Sequence, residues 1–174
     1  MTAQASIELD TVAFRETMSR FASGVTIVTT VDEAGVSWGF TASAFCSLSM
    51  DPPLVLVCLD KRADCHPVFL RAERFAVSIL RLHHRELAVR FATKGADKFA
   101  GGLFRGFGAP PLPVVLDALG VVLCRTHARY DGGDHTILIG EVEEAVAGEG
   151  KPLVYHNRGF RSLLPQSVSL TGRR

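Results

Sequence analysis

A mainly β chain, its strands closing into a Greek-key barrel with a few flanking helices, is the fold class that three features of this sequence predict. About six runs rich in valine, isoleucine, threonine and aromatic residues outnumber two or three helical stretches. Most of those runs are joined as hairpins rather than through the crossover helices of a doubly wound sheet. Between two long strand-like runs lies Asp131-Gly132-Gly133-Asp134, a tight-turn signal because both glycines adopt positive φ without strain. The doubly wound alternative also lacks its fingerprint. Gly106-Phe107-Gly108 leads into Ala109-Pro110-Pro111, which cannot open a phosphate-binding helix, and no Gly-Lys-Ser phosphate loop occurs.

The elements follow in order. Asp10 or Thr11 caps a first helix, with Phe14, Met18 and Phe21 at helical spacing on one side and Gly24 as its stop. Val25 to Val31 reads as a strand, and the turn from Asp32 to Gly35 makes a hairpin with the segment after it. Leu54 to Leu59 is nearly all aliphatic, as in a strand covered on both faces. A polar loop from Asp60 follows, and Pro67 suits the first turn of a short helix through Leu70. Phe75 to Leu80 is a further strand. Arg85 to Phe91 is helical, with Leu87 and Phe91 on one face. From Ala92 to Pro113 the chain is rich in glycine and proline and has no period, which predicts a long functional or mobile loop. Leu119 to Tyr130 and Thr136 to Val146 form the clearest hairpin. Leu153 to Tyr155 and Gly159 to Leu163 add short final strands.

The 174 residues suit one domain over 1–174, its core from about 12 to 164 and a tail over 165–174. A hydrophobic fraction of 47%, a charged fraction of 21% and a net charge of +1 make no electrostatic case for nucleic acid or a membrane surface. No apolar run approaches the ~20 residues that span a bilayer. The first residues lack the basic start and apolar core of a signal peptide. Cys46, Cys58, Cys65 and Cys124 contain no Cys-x-x-Cys pair and read as reduced, largely buried thiols, so the expected location is the cytoplasm.

Trp38 to Pro53 is the most informative stretch. As one strand, it places Phe40, Ala42, Ala44, Cys46 and Leu48 on an apolar face. Thr41, Ser43, Phe45, Ser47 and Ser49 fall on the other. Serine is a poor strand former, and small hydroxyls let a flat ligand approach the backbone closely. A half-exposed strand with its polar face in water reads the same spacing equally well. Asp51-Pro52-Pro53 ends the strand, because proline donates no ladder bond.

Other positions carry less. Lys61 and Arg62 stand near the start of the short helix at His66-Pro67, an arrangement that suits a phosphate or a solvated turn. His135 sits on the rigid hairpin beside Asp134, placed to orient a carboxamide or pass a proton, or simply to end a strand in water. His83 and His84 are adjacent, would point apart, and read as solvated. Cys58, Cys65 and His66 make a poor metal set, and no metal is expected.

Several segments taken together resemble the short-chain flavin reductases. They are Gly24-Val25-Thr26-Ile27-Val28-Thr29, Gly39 to Phe45, Ser47-Leu48-Ser49, Asp51-Pro52-Pro53-Leu54-Val55 and Phe91-Ala92. Asp97-Lys98-Phe99, Gly133-Asp134-His135-Thr136-Ile137, Ile139-Gly140-Glu141-Val142 and Pro152-Leu153-Val154-Tyr155 extend the match, from about Phe14 to Leu163. These are the reductase components of two-component flavin-dependent monooxygenases. The resemblance implies a homodimer of the FMN-binding split barrel that reduces FMN or FAD with NADH or NADPH. It places the flavin against Thr41, Ala42, Ser43, Ala44, Ser47 and Ser49, and its phosphate by Asp60, Lys61, Arg62 and Cys65. That loop lacks the several hydroxyls common in the family, so the two bases stand in for them. The resemblance puts His135 where the nicotinamide docks, with Lys98 and Arg161 near the cofactors. Hydride passing between two stacked cofactors needs no protein nucleophile, in keeping with the lack of a catalytic dyad. A flavin- or haem-binding split barrel acting as carrier or sensor is the alternative.

Overall fold

The computed structural model describes residues 9–163, and the tail expected over 165–174 lies outside them. Asp10 caps α1 (Thr11–Ser19), its carboxylate accepting from the amides of Val12 and Ala13 at 2.9 and 3.1 Å. The helix stops at Arg20, before Gly24, which instead belongs to β1 (Ser23–Gly24). β2 (Thr26–Val31) and β3 (Ser37–Ala42) form the expected hairpin. The Asp32 carboxylate closes it by accepting from the amides of Ala34 and Val36. β4 (Phe45–Met50), β5 (Pro53–Asp60), α2 (His66–Phe69), β6 (Arg74–Ile79) and α3 (Arg85–Ala92) follow. β7 (Phe104–Phe107), β8 (Leu112–Val115), β9 (Gly120–Gly132), β10 (His135–Ala147), β11 (Val154–His156) and β12 (Gly159–Arg161) complete the order.

Seven strands make one antiparallel sheet in the order β3-β2-β6-β9-β10-β5-β4. β3 and β4 are its two edges, yet only Ser43 and Ala44 separate them in the chain. Three Cα steps reach at most ~11 Å, so the sheet has to curl until its edges face each other. The result is a barrel split along β3 and β4, the mainly β architecture expected. Phe40, Val57, Phe69, Phe75 and Leu138 fill its interior, and Ile27, Leu87, Phe91 and Leu153 form a second core beneath α3.

Three expectations change. The segment from Phe40 to Ser49 is two strands, and the irregular link at Ser43-Ala44 inverts the side-chain alternation beyond it. Phe45 therefore packs on the core while Cys46 and Leu48 are exposed, the reverse of the faces expected. The stretch from Ala92 to Pro113 is not one long loop, because it folds over as the β7–β8 hairpin, whose Leu112, Val114 and Val115 are buried. Finally, β5 buries Val55, Val57 and Leu59 but leaves Leu54, Leu56 and Cys58 half-buried, so only one of its faces is fully covered.

Candidate functional site

The split opens into a cleft of about 520 Å³, within the ~300–1,000 Å³ range of small-molecule sites. Thr41, Ala42, Ser43 and Ala44 supply one wall, where the chain crosses between the two edges. Asp60, Arg62 and Asp64 supply a second, at the end of β5 and the loop after it. Lys94 and Lys98, from the segment after α3, and His135, opening β10, complete the rim.

Local hydrogen bonds hold the crossing in place. The Thr41 hydroxyl donates to the Ala88 carbonyl of α3 at 2.6 Å, so it retains only acceptor capacity towards a ligand. The Ala42 carbonyl accepts from Thr26 Oγ1 at 3.0 Å, and the Ala44 carbonyl accepts from the Cys58 amide at 3.1 Å. Ser43 is exposed, and among the described residues its hydroxyl has no intramolecular partner.

Most of the bases in this region are already matched to acids. Arg62 donates from its backbone amide and its guanidinium to Asp60, at 2.8 to 3.2 Å, and those bonds hold the Asp60 carboxyl well below the usual carboxylate range. Lys61 pairs with Asp131 at 2.6 Å, and Lys94 lies 3.5 Å from Asp64. Lys98 differs. Its ammonium donates to the neutral carbonyl of Gly39 at 3.1 Å and meets no carboxylate among the described residues. On the opposite rim, His135 Nδ1 lies 2.7 Å from Asp134 Oδ1, a bond that lowers the Asp134 carboxyl's pKa. With Nδ1 held there, Nε2 is the ring nitrogen open to a ligand.

Of the residues predicted for the site, Thr41, Ala42, Ser43, Ala44, Asp60, Arg62, Lys98 and His135 line this cleft. Ser47 and Ser49 do not, because β4 lies past the crossing and carries them outside it. Lys61 turns to Asp131 instead. Cys65 is 1% exposed, burial pushes its thiol up to about 11, and its side chain packs in the barrel core and does not line the cleft. Arg161 stands on β12, in a different sheet, and donates to its neighbour's carbonyl. Cys46, expected buried, is exposed. His84, expected in water, is buried and accepts from the Arg81 amide, while its ring lies 4.1 Å from that of His83 rather than pointing away. Lys94 was not predicted, since a lysine after a helix carries no local signal. Among the described residues, no cluster of histidine, cysteine or acid is arranged to hold a metal.

A model of the flavin reductase like domain matches residues 18–164. The chain belongs to this family. It is 50% identical over 166 residues to the actinorhodin polyketide dimerase of Streptomyces coelicolor, covering 91% of this chain and 92% of that one. The reductase component of 4-hydroxyphenylacetate 3-monooxygenase from Thermus thermophilus is 44% identical over 153 residues, covering 87% and 96%. Among solved structures, an NADH:FAD oxidoreductase of Streptomyces globisporus, in complex with NAD and FAD fragments, superposes with a TM-score of 0.85. It is 33% identical, over 92% of this chain and 99% of that one.

The cleft's chemistry suits the family's flavin. Phe40, Leu59 and Phe91 give the cleft an apolar lining, and cations, hydroxyls and the carboxylates of Asp60 and Asp64 line it as well.

Proposed function

We propose that the protein is an NAD(P)H-dependent flavin reductase that hands reduced FMN or FAD to a partner flavin-dependent monooxygenase. The observation that carries the reading is the cleft at the barrel split, walled by small residues and rimmed by Lys98, which meets no carboxylate among the described residues. When bound, the two cofactors supply the chemistry themselves, a hydride passing from nicotinamide C4 to flavin N5.

The chain's own residues bind and orient. Ser43 and Ala44 carry no bulk that would keep a ring from the backbone. Thr41, its hydroxyl proton committed to Ala88, accepts a hydrogen bond from a ring N–H. Lys98 holds the flavin phosphate, with Arg62 assisting. His135, steadied by Asp134, orients the nicotinamide carboxamide through Nε2. Ser47, Ser49, Cys65 and Arg161 have no part in this assignment.

The reading further takes the chain as one domain that works as a homodimer in the cytoplasm. β4 and β9 carry exposed apolar side chains, with Leu48 49%, Met50 87% and Tyr130 60% accessible. β4 is also an unpaired sheet edge. All four cysteines are free, as suits a reducing compartment. Among the described residues, no helix is long and apolar enough to cross a membrane.

Mixing the purified protein with NADH or NADPH and FMN or FAD, and following nicotinamide absorbance, tests the activity. Many turnovers per protein are expected. Flavin binding without oxidation of the nicotinamide would overturn it. Sedimentation of the same sample at twice the chain mass is the expected result for the dimer.

A further inference from the structure

The turn between β9 and β10 leads directly into His135, and little of the fold holds it. Asp131, Gly132, Gly133 and Asp134 are all exposed, and the two glycines add backbone freedom, with Gly133 at φ 80°. The ladder from β10 to β5 ends at the pair His135–Asp60. Past that pair the next residue, Lys61, supplies two bonds to the turn. Its amide donates to the Asp134 carbonyl at 3.0 Å, and its ammonium donates to Asp131 Oδ2 at 2.6 Å. Asp131 Oδ1 accepts from the Gly133 amide at 3.0 Å, so one carboxylate closes the turn and meets the lysine. Those bonds lower the pKa of the Asp131 carboxyl, the one to Lys61 most of all.

The contacts continue to the site. Asp134 Oδ1 lies 2.7 Å from His135 Nδ1, and His135 lines the cleft whereas Lys61 does not. Among the described residues, nothing else outside β9 and β10 hydrogen-bonds to these four turn residues.

We infer that Lys61 is a positioning residue for the reductase reaction, bracing the β9–β10 turn so that His135 faces the cleft, and that it takes no part in holding the flavin phosphate. The inference rests on the reductase reading above, in which His135 orients the nicotinamide. An unbraced turn visits other positions, and a site competent for only part of the time binds its ligand more weakly by that fraction. The ammonium and its partner are 36% and 76% exposed, so the ion pair is a weak brace and its loss is worth about threefold. Saturating nicotinamide draws the turn back into place, which leaves kcat unchanged. The Lys61 amide bond does not depend on the side chain and persists in every variant.

The test is a double-substitution cycle on the purified full chain. It reads kcat, the KM for whichever of NADH and NADPH the wild type oxidises, and the Kd of FMN and of riboflavin by fluorescence. Lys61→Met removes the ammonium and keeps the apolar stem. It is expected to raise KM about threefold, with kcat and both flavin affinities at wild-type values. Lys61→Arg keeps a donor for Asp131 and should restore KM, and Asp131→Asn should raise it as Lys61→Met does. Once His135→Ala has removed the group being positioned, adding Lys61→Met should change KM no further. Additive effects of those two substitutions overturn the inference. So does a wild-type KM in Lys61→Met. A loss of FMN affinity that riboflavin does not share also overturns it, because that is the behaviour of a phosphate ligand. A wild-type protein that oxidises neither NADH nor NADPH removes the reductase reading itself, whereas normal wild-type turnover with any of those three outcomes removes the brace alone.

Discussion

Replacing Lys98 with methionine removes one positive charge from the cleft and leaves a side chain of similar length. Its size as a perturbation follows from the partners of each base. Arg62 is 82% exposed in its side chain and already 2.9 Å from Asp60, and Lys61 is 2.6 Å from Asp131. Their charges are largely compensated before any ligand arrives. Among the described residues Lys98 donates to the Gly39 carbonyl and to no carboxylate, so its charge is less compensated than theirs when a phosphate arrives. A hydrogen bond to a charged group is worth ~1.5–3 kcal/mol, and the half-buried setting argues for the lower end, or about tenfold in Kd. The substitution also removes one internal bond of ~1 kcal/mol, which lowers the melting temperature by ~2–4 °C at this chain length. Flavin fluorescence titrations compare FMN with riboflavin, which lacks the phosphate. Lys98→Met should weaken FMN about tenfold and leave riboflavin nearly unchanged, while Arg62→Met does less to either. If riboflavin weakens as much as FMN, or if Arg62→Met proves the more damaging change, the charge-compensation argument is wrong.

Three further outcomes follow from the same geometry. His135→Ala should raise the KM for the nicotinamide ~5-fold, the value of one neutral hydrogen bond, with a smaller effect on flavin Kd; equal loss of both removes the orienting role given to Nε2. His84, buried chiefly at the expense of its charged form, titrates at about 4 instead of 6.5, a difference of ~3 kcal/mol between its protonation states. The unfolded chain therefore takes up a proton that the fold refuses, so this contribution is complete above pH 6.5 and is lost as pH falls towards 4. His84→Asn, which keeps an acceptor for the Arg81 amide, should flatten the fall in melting temperature across that window relative to wild type. At Gly140 in β10, an added Cβ would stand 2.5 Å from Phe75 Cζ and 2.7 Å from Cys124 Cβ. Gly140→Ala should thus cost ~1–3 kcal/mol in denaturant unfolding, and a cost near zero would mean the barrel interior yields more than its packing implies.

The order of strands was legible because β-branched runs, turn residues and the Gly132-Gly133 hairpin are local signals, each readable within about ten residues. The caps and turns were equally local, as Asp10 and Asp32 illustrate. The candidate site was legible in part. Thr41 to Ala44 and His135 emerged from spacing and from family resemblance, and both segments line the cleft. Ser47 and Ser49 fall outside the cleft because a period of two persists only while the strand does, and β3 ends at Ala42.

What the amino-acid order determined by itself is most of the barrel strands, the β2–β3 and β9–β10 hairpins, much of the apolar inventory of the core and the family to which the chain belongs. Only the closed sheet decided that β3 and β4 are opposite edges brought together by two residues. Only the fold, too, decided which cations are free to meet an anion, since Lys61 finds Asp131 seventy positions away while Lys98 finds a carbonyl. Periodicity reports on neighbours in the chain. The pairing of charges and the meeting of edges depend on which distant segments the curled sheet brings within a few ångströms, and no local pattern encodes that distance.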